Sequence, residues 1–169
     1  MPPNGLGGDG DRASPGPGAV KSARIKNVFD YWISLRGDRL FPAWTDVKLM
    51  DVYNVASFVA VLDVEANSGA GGHRFRYRFC GTALVEARSS LTPSDPTGWC
   101  IDEILWPFEP SPLLAACAEV VARRKPVMLA AGEVEESHYR LHERGFFPLG
   151  PDDDLVTQVI ACIDEVPRA

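Results

Sequence analysis

Between His73 and Phe79 aromatic and basic residues alternate strictly: Phe75, Tyr77 and Phe79 at odd positions, Arg74, Arg76 and Arg78 at even ones. A period of two is that of a β-strand, so three rings fall on one face and three guanidinium groups on the other. A helix with this pattern would scatter rings and charges around its whole circumference. The aromatic face therefore belongs in a core, and the cationic face meets solvent or a partner. Upstream, residues 57–65 (Ser-Phe-Val-Ala-Val-Leu-Asp-Val-Glu) form a β-branched run suited to a buried strand. The Asn- and Gly-rich stretch 67–72 between them supplies turn residues that tolerate positive φ, so the two runs predict an antiparallel hairpin.

Around this hairpin the chain reads as a mixture of helices and strands. Ser22 is placed to cap a helix running through Leu35, with Ile25, Val28, Phe29, Trp32 and Leu35 at helical spacing. Gly37 stops it, and Arg36 suits the negative end of its dipole. Residues 42–54 form a link in which Thr45 or Asp46 caps one or two turns. After the hairpin, Gly81 breaks the strand and Thr82 caps a short helix to about Arg88. An irregular stretch with Pro93, Pro96 and Gly98 leads to a short apolar element at 101–105. A longer helix starts at Pro110 or Ser111 and reaches Arg124, its stripe being Leu113 or Leu114, Cys117, Val120 and Val121. Three strands follow, at 126–134, 137–149 and 155–166, with a turn at 150–153. This order is α+β, not an alternating βαβ pattern.

The 169 residues divide into a Gly- and Pro-rich disordered tail (1–20), an N-terminal helix and turn (21–42) and a folded domain (43–166). A net charge of −6 argues against a nucleic-acid partner, which needs a basic stripe for phosphates. No apolar run approaches the roughly 18–20 residues that span a bilayer. The four cysteines, Cys80, Cys100, Cys117 and Cys162, are widely spaced and read as small apolar residues of a cytoplasmic protein.

Several short motifs, in order, carry a resemblance: Trp32-x3-Arg36-Gly37-x-Arg39-x2-Pro42, the strand at 58–64, and Phe75-Arg-Tyr-Arg78-x2-Gly81-Thr82. Thr97-Gly98 before Glu103-Ile-Leu105, Pro126 after the long helix, and Phe147-Pro148-Leu149 continue it. Over roughly 29–166 the chain resembles the PAS_5 family, a bacterial subset of the PAS sensory fold. The resemblance implies a PAS-like five-stranded antiparallel sheet with short flanking helices and an N-terminal helix. It also implies a single-domain cytoplasmic signalling module that acts through protein–protein contacts, as a homodimer and with other signalling proteins. The fold's cavity would be lined by Tyr77, Leu84, Cys117, Tyr139 and Leu141, which either hold a small ligand or fill the core. Phe29 and Trp32 would pack on the outer face of the sheet or on a second subunit. Two departures stand out, an apolar link at 47–55 and an extra Pro93-Ser94-Asp95-Pro96, both near the region that closes such a cavity.

Other chemistry is sparse. His138 and His142 share a strand face, but two ligands fall short of the three or four that zinc takes. Arg140-x3-Arg144 resembles the first half of a PilZ cyclic-dinucleotide motif whose second half is missing. The segment 81–88 has no cysteine for a flavin adduct and 110–125 no histidine for haem, so the residues specify no cofactor. There is no nucleophile elbow or phosphate loop, and Asp152-Asp153-Asp154 falls in a turn, so an enzyme is not expected. The alternatives are a ligand-free scaffold, docking an acidic partner on Arg74, Arg76 and Arg78, and last a small enzyme.

Overall fold

The computed structural model describes residues 20–67, 72–89, 93–106, 110–129 and 141–166. Its centre is a five-stranded antiparallel sheet: β1 (Val59–Ala66), β2 (His73–Cys80), β3 (Val127–Leu129), β4 (Leu141–Leu149) and β5 (Gln158–Val166), in the order β2-β1-β5-β4-β3. The predicted hairpin is β1–β2, with Leu62 opposite Tyr77 and Val64 opposite Phe75. The register shifts between Val61 and Leu62, where Arg78 is the extra residue and bends β2. The order brings the C-terminal β5 against the first strand, in the middle of the sheet. This is the α+β, PAS-like arrangement expected from the sequence.

Helix α1 (Ala23–Arg36) lies on one face of the sheet, while α3 (Thr82–Ala87), α4 (Ser111–Arg123) and a 3-10 turn at Ile101–Glu103 lie on the other. A further short helix, α2 (Tyr53–Ala56), follows two 3-10 turns at Trp44–Asp46 and Leu49–Val52. The apolar link has its explanation here: Val52 and Val55 are core residues, and Val47 and Leu49 pack against them.

Helix α1 is seated at both ends. Ser22 is the N-cap, its Oγ accepting from the Ile25 N–H at 3.1 Å. Two carboxylates directly opposite each other, Glu143 on β4 and Asp164 on β5, are 4% and 6% exposed. Like charges at such a pair repel, and the start of the helix offsets this. Glu143 accepts from the Lys21 N–H at 2.8 Å and the Ser22 N–H at 2.7 Å. Asp164 accepts from Ser22 Oγ at 2.7 Å and from Arg24 at 2.6 Å. Unpaired N–H groups and the positive end of the helix dipole both favour acids at this position.

At the other end, Gly37 takes φ +57°, which a glycine adopts without strain. Arg39 donates to the Leu35 and Arg36 carbonyls and to Asp46, and so caps the helix. Asp46 is not the N-cap of the following turn, as expected; it closes the turn, accepting from the Ala43 N–H at 2.9 Å. Trp32, 2% exposed, donates Nε1–H to the Pro148 carbonyl at 2.8 Å. Its ring lies 6.2 Å from Phe147, and Phe29 stacks beside it at 6.3 Å. The two motifs that best carried the resemblance, Trp32 to Pro42 and Phe147-Pro148-Leu149, thus bind each other.

Several boundaries move. Thr82 opens α3 as its first residue, with Gly81 as the cap. Gly81 is held where a Cβ would overlap the Ser57 and Ala56 carbonyls. The last strand begins at Gln158, because Asp152 draws the N–H groups of Asp154 and Leu155 into a turn. The expected tail and the segment 130–140, with His138, Tyr139 and Arg140, lie outside the described residues.

Candidate functional site

Alternation assigns the two faces of the sheet. Glu143, Gly145 and Phe147 on β4 face α1, so His142 and Arg144 face the other way, as do Ala60 and Leu62 on β1, Tyr77 on β2, and Ala161 and Ile163 on β5. Between this second face and the helices lies a cavity of about 290 Å³. Leu84 and Ala87 of α3, Arg88 after it, Trp106 and Leu113 of α4 complete the wall. The volume falls at the lower end of the range for small-molecule sites.

Of the residues expected to line it, Tyr77 and Leu84 do. Cys117 does not: it is 0% exposed and packed inside the core, and burial pushes its thiol up to about 12. Leu113, one turn earlier on the same stripe, faces the cavity in its place. Tyr139 lies outside the described residues, and the side chain of Leu141 is likewise not described. Its neighbours on the strand, His142 and Arg144, reach the cavity instead. Sequence alone makes His142 an ordinary strand histidine and Arg144 half of a chance motif. Their signal was nevertheless legible: a basic residue on the core-facing phase of a strand is out of place unless it serves something.

Burial governs the chemistry of the wall. It pushes the Tyr77 phenol well above its ordinary range and the Cys80 thiol up to about 11, so both stay protonated at neutral pH. It also pulls the Arg144 guanidinium below its usual value. Arg88 is held by the Ser94 carbonyl at 3.3 Å and the Pro93 carbonyl at 3.4 Å, and lies 4.6 Å over the Trp106 ring. The extra Pro-Ser-Asp-Pro loop therefore positions a side chain of the cavity wall.

The arginine face of β2 is not a free cationic surface. Arg74 pairs with Asp102 and Glu103 at 3.0 and 3.1 Å, Arg76 with Glu65 at 2.6 Å and Arg78 with Asp63 at 2.8 Å. The hydrogen bond from Arg76 holds the Glu65 carboxyl below the usual range, and that from Arg74 does the same for Asp102. Four acids answer three bases, so the face expected to dock an acidic partner carries no uncompensated positive charge among the described residues. Trp32 is not open to a partner either, being buried against its own sheet, and Phe29 is half-buried beside it. All four cysteines are free and buried, which suits their reading as apolar residues. Among the described residues no group of three or more His, Cys, Asp or Glu side chains gathers as for a metal, and no helix is long and apolar enough to cross a membrane.

No protein-family model matches the chain, and no curated protein matches it. Among solved structures it is similar to an RNA-binding light-oxygen-voltage receptor, at 18% identity and a TM-score of 0.32, over 65% of this chain and 31% of that one. The chain thus spans about a third of that receptor's length. So loose a likeness bears on no residue or ligand.

Proposed function

We propose that this chain is a PAS-like sensory module of the PAS_5 type, whose input is a small molecule held between the sheet and α3 and α4. The observation that carries this reading is the cavity of about 290 Å³, apolar over most of its wall with a few polar groups turned into it. Its response passes to other proteins, signalling proteins or a second copy of this chain, through surfaces other than the buried stripe of α1. No catalytic step is assigned to it. The resemblance in the Trp32–Pro42 and Phe147–Leu149 motifs supports the family, since those residues form the contact that seats α1.

Native mass spectrometry of the purified chain, with an ultraviolet–visible spectrum, tests the reading. A copurified molecule that is lost when Leu84→Trp fills the cavity supports it. A bare protein whose thermal unfolding responds to no member of a metabolite library refutes it. Light scattering on the same sample reads the subunit number.

A further inference from the structure

Among the described residues, Arg144 is a cation with no anion beside it. It sits mid-strand on β4 opposite Ile163, with its side chain in the cavity wall. Among the described residues no carboxylate or hydrogen-bond acceptor meets its guanidinium, and its neighbour Tyr77 is a neutral phenol at pH 7. Arg144 is half-buried, and a charge drawn partly out of water with no partner costs a fold more than an apolar side chain of the same volume would.

A second guanidinium shares the space. Arg88 enters from the end of α3, held by the Ser94 and Pro93 carbonyls and the face of Trp106, with Asp95 near enough to feel its charge. The nearby acid, Asp95, is taken up by the Thr97 N–H at 3.0 Å and the Thr97 hydroxyl at 2.7 Å. The Tyr77 phenol, kept protonated, adds a neutral donor, and His142 stands on the same strand face as Arg144. Among the described residues that line the cavity there is no carboxylate, and the rest of that wall is apolar. A neutral ligand would leave the charge of Arg144 without a counterpart among the described residues.

We infer that the cavity takes a small organic anion, a carboxylate carried on an apolar body, with the carboxylate on Arg144 and the body against Leu62, Leu84, Leu113 and Trp106. A guanidinium offers two parallel N–H donors to a carboxylate, and the low polarity of the site strengthens such bonds. Arg88 is the second cation toward which the head is drawn. The inference rests on the ligand-binding reading above and adds the charge and polarity of the ligand to it.

Calorimetric titration of the full chain with octanoate, 1-octanol and acetate is the test, repeated on Arg144→Gln and Arg144→Met. Octanoate is expected to bind at least about tenfold more tightly than octanol, and acetate, a head without a body, far more weakly. Arg144→Gln should cost octanoate about tenfold to a hundredfold and leave octanol nearly unchanged. Urea unfolding of unliganded Arg144→Met should show a midpoint equal to or above that of the parent, since a desolvated charge has been removed.

Octanol binding as tightly as octanoate would overturn the inference while leaving a ligand-binding cavity. A large drop in the Arg144→Met midpoint would overturn it too, by making the arginine a structural residue. If no probe binds and a molecule copurifies, an acid supports the inference and a neutral molecule refutes it. If no probe binds and nothing copurifies, both the inference and the ligand-binding reading fail.

Discussion

Replacing Trp32 distinguishes a helix that belongs to this fold from one held in reserve for a second subunit. The indole is 2% exposed, donates to the Pro148 carbonyl at 2.8 Å and lies against Phe29 and Phe147. Truncating a buried tryptophan to alanine costs about 3–5 kcal/mol, from lost transfer energy plus the cavity left behind. With m near 2 kcal/mol/M for a domain of this size, the urea midpoint of Trp32→Ala should fall by about 2 M. Trp32→Phe keeps most of the apolar area and removes only the donor, so it should cost about 1–2 kcal/mol. Urea unfolding followed by circular dichroism, at two protein concentrations tenfold apart, reads both. A parent midpoint that shifts with concentration while that of Trp32→Ala does not, or an alanine variant that unfolds like the parent but loses mass on light scattering, would place Trp32 at an interface between copies. Either result would refute the packing of α1 onto its own sheet as the source of its stability.

The carboxylate seat at the other end of α1 gives a second expectation. Glu143→Ala leaves the Lys21 and Ser22 N–H groups without their acceptor and should lose about 3 kcal/mol in urea; Glu143→Gln, which keeps one acceptor, should lose less. A Cβ at Gly145 would come within 2.8 Å of Ile25 Cγ2, so Gly145→Ala should cost about 1–3 kcal/mol, and less than additively when combined with Ile25→Ala. The carboxyls of Asp46, Glu65, Asp102 and Glu103 are all held below their ordinary values, chiefly by arginines and, for Glu103, first by the Cys100 N–H. Groups depressed in the folded state stabilise it above their unfolded values and lose that contribution as pH falls through the folded ones. Unfolding free energy should therefore be flat near neutrality and drop below about pH 4.5, and Arg76→Gln should lessen that drop; a parent curve that rises on acidification would contradict the pairings.

Much of this was written locally. The alternation of 73–79 dictated a strand, and β2 is that strand, its two faces kept as far as Tyr77, after which the register shift at Arg78 brings Cys80 to the cavity side. Ser22, the Ile25–Val28–Trp32 spacing and Gly37 dictated α1 with its cap and stop. The α4 stripe of Leu113, Cys117 and Val120 is buried as its period requires. In each case the determinant was a period or a terminus, which neighbours a few residues apart can specify.

Partners distant along the chain were decided only by the tertiary structure. Whether Arg76 meets solvent, a partner or Glu65 depends on the register of β1 against β2, which alternation leaves open. That Trp32 turns onto its own sheet required the Pro148 carbonyl, 116 residues away. Cys117 and Leu113 share one helical stripe, and only the position of α4 over the sheet put the first in the core and the second on the cavity. The sequence by itself determined the elements and their faces, because side-chain direction follows from backbone period. The cavity, and Arg144 in its wall with no acid beside it among the described residues, arose when β5 closed against β1, since a cavity belongs to no single segment.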